Sequence, residues 1–355
     1  MPRARCGGSS EGGAGRPCAG SSSFSYSCSF SLLRLGASGP GLSPLLSPTV
    51  RDLVAALGQT EGRLVDPRPV IGHLVGNMMN QLIFGHKYGE EDEMWRRLQH
   101  LREEGVKVFG VCGVVNFLPL VRFWPSVSRM IGWIKEGQKE SHREYQRLVV
   151  ERQAALVRGE EAACVTDLWL EEVQRRETSG AGPGSFTTSQ LHHLQADLFG
   201  AGTDTSLNTI LWAVLLLAAP EHKELQEQLQ QELDQECGQK TPHLGLSLPL
   251  LQATVMEVMR LRPVVPLGVP HGTTAELRVG AWVVPAGTMV LPLHWAMNMD
   301  PEVWDSPHQF RPARFLGPEG EARRSAILPF QVIKGCTYIT LEEGREGGQE
   351  FSIIF

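Results

Sequence analysis

The sequence lacks every cysteine pattern that would define a scaffold. Its seven cysteines, Cys6, Cys18, Cys28, Cys112, Cys164, Cys237 and Cys336, are scattered over 355 residues. None forms a C-x-x-C pair and the number is odd, which argues against a disulfide framework or a zinc site and favours a reducing compartment. No apolar run reaches the roughly 18 residues of a membrane span. The longest, Ile210 to Ala219, stops at Pro220 and a charged segment, and is expected to be a buried helix end. Basic excess is also missing: the net charge is -6, so nucleic acid is not an expected partner. No internal repeat is visible. The N-terminus has no apolar stretch of the secretory-signal kind, and its glycines and prolines oppose the amphipathic helix of a transit peptide.

What is present is 42% hydrophobic residues, enough to bury a large core. Residues 1–47 stand apart. Gly and Ser make up 14 of the first 30 residues, and such a leader is expected to be disordered because little burial offsets its ordering entropy. From residue 48 the texture becomes helical. Apolar residues at helical spacing predict a short helix at 50–57 and a longer one at 67–84. A charged amphipathic helix is predicted at 90–108 and an apolar, turn-like link at 114–123. A long polar-faced helix at 127–158 and a short one at 166–176 follow. The glycine-rich loop at 179–184 precedes a helix of roughly 30 residues, about 45 Å at 1.5 Å each. It opens on Thr187 with Gln190 three residues on, a capping-box pattern. Beyond Pro220 come a charged helix, an apolar helix at 248–261, and strand-like pieces at 277–279, 282–284 and 289–291. Pro285-Ala-Gly-Thr288 reads as a hairpin turn between the last two. The fold class is mainly α with small β-sheets.

The long helix carries Asp197-Leu-Phe-Gly-Ala-Gly-Thr-Asp-Thr-Ser206. Two mid-helix glycines each cost about 1 kcal/mol against alanine. A helix that accepts this cost needs something bulky against its backbone: a ligand, or a crossing helix. Asp204 beside Thr205 pairs an acid with an alcohol, groups able to relay protons from water. Downstream, Glu257 and Arg260 share a helix face at i and i+3. They form either an ordinary surface pair or part of a buried set that must be balanced.

Ala201-Gly-Thr-Asp-Thr-Ser206 resembles the oxygen-activation signature of the cytochrome P450 family, the haem-thiolate monooxygenases. Glu257-Val-Met-Arg260 resembles that family's ExxR motif, and Phe310-Arg-Pro-Ala-Arg-Phe315 its partner loop. The resemblance runs over residues 48–331. Residues 66–123, with Asn80-Gln-Leu-Ile-Phe-Gly85 and Asn116-Phe-Leu-Pro119, resemble the microsomal branch of steroid and drug hydroxylases. It implies a partial P450 fold and proton delivery by Asp204 and Thr205. It implies haem contacts at Ala201 and Gly202, a propionate contact from His271, and a structural triad of Glu257, Arg260 and Arg314. Haem is the implied cofactor, and the implied reaction is oxygen insertion from O2 into a lipophilic steroid, fatty acid or xenobiotic. NADPH-cytochrome reductase is the implied electron donor, and the endoplasmic reticulum membrane the implied location.

The likeness breaks at both ends. The family's ligand loop reads Phe-x-x-Gly-x-Arg-x-Cys-x-Gly. Here Leu328-Pro-Phe330 opens it, but Ile333, Gly335 and Thr337 occupy the expected glycine, arginine and cysteine positions. Cys336 is the candidate iron ligand and falls one residue early, with Lys334 two residues before it as a base able to lower its thiol pKa. The alternative is a stray thiol in an atypical tail, residues 332–355, where Glu342-Glu-Gly-Arg-Glu-Gly-Gly348 replaces an apolar helix. The family's membrane anchor, first sheet and early helices would precede residue 48. The sequence therefore leaves two expectations open: a monooxygenase, or a truncated, inactive form that binds haem weakly or not at all. Without an anchor, a cytoplasmic location is the alternative expectation to the endoplasmic reticulum membrane.

Overall fold

The computed structural model describes residues 43–180, 182, 184, 186–238, 246–268, 271–273, 275–327 and 351–352. It begins with helix α1 (Ser43–Gly58) and α2 (Pro67–Phe84). Helix α2 has defined ends. The Asp66 carboxylate accepts from the Arg68 N–H at 3.0 Å and Pro67 takes the first turn, where no N–H is needed. Gly85 closes it in the left-handed region, at φ 64. Helix α3 (Glu93–Phe117) starts under Asp92, which accepts from the N–H groups of Met94 and Trp95 at 2.8 and 3.1 Å.

The link expected at 114–123 is shorter than its composition suggested. Helix α3 continues to Phe117, and only Pro119–Phe123 forms a separate 3-10 turn. The break falls at Leu118 because a residue before proline avoids the α region. Helix α4 (Pro125–Val157), α5 (Val165–Thr178) and α6 (Thr188–Leu217) follow. The Thr187 hydroxyl caps α6 by accepting from the Gln190 N–H at 3.2 Å. After Pro220 come α7 (Lys223–Cys237) and α8 (Pro249–Leu261). Glu232 of α7 satisfies the first turn of α8, accepting from the N–H groups of Leu250 and Leu251 at 2.7 and 2.9 Å.

Helices α2 and α6 form the spine. Gly72 faces Leu207 while Met79 faces Gly202, so the two run in opposite directions. One cluster of the core gathers Ile83, Phe84, Trp95, Tyr145, Leu148 and Phe199 from α2, α3, α4 and α6. A second joins Val149, Val165, Trp169, Leu191 and Leu194. A third, Ala253, Trp304, Phe315 and Ile327, lies under α8. The apolar run at the end of α6 is less buried than expected. Ile210, Val214 and Leu215 are 37%, 43% and 60% exposed, because no described element covers that flank.

The strands are short: β1 (His271–Thr273), β2 (Leu277–Val279), β3 (Trp282–Val284), β4 (Met289–Val290) and β5 (Phe351–Ser352). The expected hairpin at 285–288 is instead a junction between two sheets. Strand β3 pairs with β2, and β4 pairs with β1, which also pairs with β5. Thr273 causes this. Its hydroxyl donates to the Pro285 carbonyl at 2.7 Å and accepts from the Thr288 N–H at 2.8 Å, tying the bend to β1. A short helix α9 (His294–Asn298), a 3-10 turn (Pro312–Phe315) and α10 (Gly317–Ala326) complete the described chain.

Candidate functional site

The middle of α6 is unusual in its side-chain bonding. The Thr205 hydroxyl donates to the Ala201 carbonyl at 2.7 Å, Asn208 donates to the Asp204 carbonyl at 2.8 Å, and Thr209 donates to the Thr205 carbonyl at 2.8 Å. Such back-bonding to residue i-4 loosens and bends a helix. Ala201 is exposed although it lies mid-helix. The two glycines differ in their surroundings. A Cβ on Gly200 would meet nothing within 4 Å, whereas one on Gly202 would lie 2.4 Å from the Met79 methyl. The close approach at Gly202 is thus made by α2.

Asp204 points to α3, where its carboxylate is ion-paired with Arg102. The arginine side chain is only 8% exposed. Burial pushes the Asp204 carboxyl above its ordinary range, and the guanidinium opposes that shift. Arg102 did not emerge from the sequence. A usable signal was there: it lies four residues after buried Leu98 and so on the same face of α3.

Thr205 also lines a cavity of about 340 Å³ shared with Thr209, Met259, Val265 and His294. Its walls come from α6, α8, the segment after α8, and α9. The His294 ring lies with Nδ1 3.2 Å from the Val265 carbonyl. Burial lowers its pKa, the Val265 contact opposes this, and nearby His271 adds to it. His271 itself is buried in β1, opposite Val290.

One residue along α8 from Met259, the chemistry changes. Arg260 makes a two-pronged pair with Glu257, Nε to Oε2 at 2.8 Å and a terminal nitrogen to Oε1 at 2.9 Å. Arg314 adds its Nε to Glu257 Oε1 at 3.1 Å, and the Arg311 N–H donates to the same oxygen at 2.9 Å. Two guanidinium groups on one carboxylate leave surplus positive charge. Backbone carbonyls absorb it: Asn298 and Gln309 accept from Arg260, and Asp305 and Gln309 from Arg314. The Arg260 guanidinium also lies 5.4 Å from the ring centre of Trp304. Burial pulls the Arg314 pKa below its usual range, with Glu257 opposing, but an arginine keeps its proton in proteins.

A family model described as Cytochrome P450 matches residues 31–332. The chain belongs to the cytochrome P450 family. Among its relatives is Cytochrome P450 306a1 of Drosophila melanogaster, 35% identical over 305 residues, 72% of this chain and 52% of that protein. Cytochrome P450 2U1 of Bos taurus is 26% identical over 76% of this chain and 50% of its own. Steroid 21-hydroxylase of Bos taurus is 35% identical over 58% of this chain and 41% of its own. The chain thus spans about half the length of the curated relatives it matches. A solved zebrafish cytochrome P450 with progesterone superposes with TM-score 0.73 at 29% identity, covering 86% of this chain and 68% of that one.

The P450 cofactor is haem. The small, exposed residue Ala201 and the mainly apolar cavity beside Thr205 suit a flat apolar group. The other half of the expected site, Leu328–Phe330 with Lys334 and Cys336, lies outside the described residues.

Proposed function

We propose that this P450 chain is a haem-dependent monooxygenase of lipophilic small molecules, with steroids as the favoured class. The observation that carries the reading is the open flank of α6, where Thr205 borders an apolar cavity, with Ala201 exposed one turn before it and Asp204 the preceding residue. Haem, when bound, supplies the activation of O2 with electrons delivered by NADPH-cytochrome reductase. The rest falls to the chain. Ala201, small and exposed, leaves room for close approach on this flank, while Gly202 admits the Met79 side chain of α2. His271 is assigned a propionate and Cys336 the iron. Asp204 is assigned the supply of protons: burial favours its protonated form, the Arg102 guanidinium opposes that, and the side chain would turn from Arg102 to hand a proton to the Thr205 Oγ1. The hydroxyl can pass it on by turning from the Ala201 carbonyl into the cavity. Steroid as substrate class is supported by the named 21-hydroxylase relative and by progesterone in the zebrafish structure.

Association with the endoplasmic reticulum membrane is part of the proposal. Leu118, Leu120, Phe123 and Trp124 stand exposed at the turn between α3 and α4, with Arg122 among them. Aromatic and apolar side chains beside a cation suit a membrane interface.

The one-residue displacement of Cys336 favours a second reading, an inactive P450 chain that takes up haem weakly or not at all. A carbon-monoxide difference spectrum of the haem-supplemented chain separates the two. A thiolate-haem band supports the enzyme; a chain that takes up no haem rules it out. If the band is present, Thr205→Ala should lower coupled product formation by about 10²-fold, the scale of a lost proton donor.

A further inference from the structure

Away from the α6 cavity, three histidines meet where α4 crosses the first turns of α6. The His142 ring centre lies 5.3 Å from that of His192 and 5.5 Å from that of His193. Among the described residues, the Nε2 atoms of His142 and His192 are both buried and have no hydrogen-bond partner. Two orphaned ring nitrogens in one helix interface are costly, since each forfeits its solvation. Something is needed to satisfy both.

The spacing suggests what. Two imidazoles on one tetrahedral ion, each about 2.0–2.1 Å from the metal, put their ring centres roughly 5 Å apart. His142 and His192 have that separation already. Neutral imidazole, with a free lone pair, is the form that binds metal. The exposed His193 is the immediate chain neighbour of His192, and adjacent helical residues point about 100° apart. It is therefore a flanking group, and Asp197, one turn on, adds negative charge nearby. Among the described residues no three His, Cys, Asp or Glu side chains already converge on one point. The site is thus a two-imidazole one, completed by water.

We infer that His142 and His192 bind one divalent transition-metal ion of the zinc class through their Nε2 atoms, joining α4 to the start of α6. Copper(II) should bind more tightly than zinc, as nitrogen sites generally do.

The test uses the full, untagged chain with Zn2+ alone as probe. Zinc should raise the melting temperature of the wild-type protein. Calorimetric titration should give a site whose affinity falls at least tenfold in both His142→Gln and His192→Gln. His193→Gln should keep it. Cu2+ should give an electron paramagnetic resonance spectrum with nitrogen coupling that is lost in the same two variants. Should His142→Gln fail to fold, His192→Gln and the copper spectrum still decide. Equal zinc response in wild type and both variants would place the metal on other side chains and overturn the inference. So would no response in the wild type, which would leave a shared water between the two rings.

Discussion

Arg102 on α3 and Asp204 on α6 form an ion pair across 102 positions of sequence, and the arginine is the more buried partner. The acid proposed to deliver protons is therefore held by a charge on another helix. Removing the guanidinium would leave a half-buried carboxylate alone. Arg102→Met should cost about 1–3 kcal/mol, between the values for exposed and buried pairs. A double-mutant cycle with Asp204→Asn in urea should show coupling above about 1 kcal/mol. Additive losses would mean that the pair contributes nothing to stability.

The buried cluster under α8 makes a larger demand. Arg314→Ala strands part of the charge on Glu257 and leaves the Asp305 carbonyl without its donor. The expected loss is about 3–5 kcal/mol, read from the urea midpoint at constant slope. A loss below about 1 kcal/mol, the scale of a surface pair, would contradict the buried pairing of Arg314 with Glu257.

Two close-packed glycines should respond differently to a methyl group. A Cβ on Gly76 would lie 2.1 Å from the rigid Trp95 ring, so Gly76→Ala should destabilise by about 1–3 kcal/mol. At Gly202 the obstacle is the end of the flexible Met79 side chain. Gly202→Ala should therefore be near neutral, since alanine restores about 1 kcal/mol of helix propensity. Thermal melts of the two variants give the comparison.

Acid should weaken the fold through its buried and partly buried histidines, His73 and His294 among them. Burial lowers the pKa of His73 and His294 below the ordinary 6.5. The unfolded chain then takes up protons first as pH falls, so stability drops with falling pH from about 6.5 downwards and is full above it. Melting curves between pH 7.5 and 5.5 should show this slope, and it should flatten in His73→Gln and His294→Gln.

Cys164 should be inert in the folded protein. It is fully buried, and burial pushes its thiol pKa up to about 12. Alkylation followed by mass spectrometry should label the partly exposed Cys237 well before Cys164, and label both once urea unfolds the chain.

Much of the helical frame was legible because its signals are local. Thr187 with Gln190, Pro67 after Asp66, and Pro220 mark helix ends wherever the rest of the chain lies. Spacing alone also puts Glu257 and Arg260 on one face. It is silent on Arg102, whose partner is on another helix, and on Thr273, whose hydroxyl draws the 285–288 bend out of the hairpin its composition suggests. Exposure at Ile210 and Leu215 was illegible for the same reason: an apolar run says what would be buried, and only the tertiary arrangement says whether anything covers it.

Helix α8 shows Met259 to the cavity and Arg260 to the ion cluster, on neighbouring positions. Turning the helix to reshape one would drag the other out of register. Variation in what the cavity accepts is therefore expected through side-chain size at positions such as Val255 and Met259, while the helix itself stays locked in its rotational setting. The charge cluster thus acts as a fixed datum from which the dimensions of the neighbouring chamber are measured.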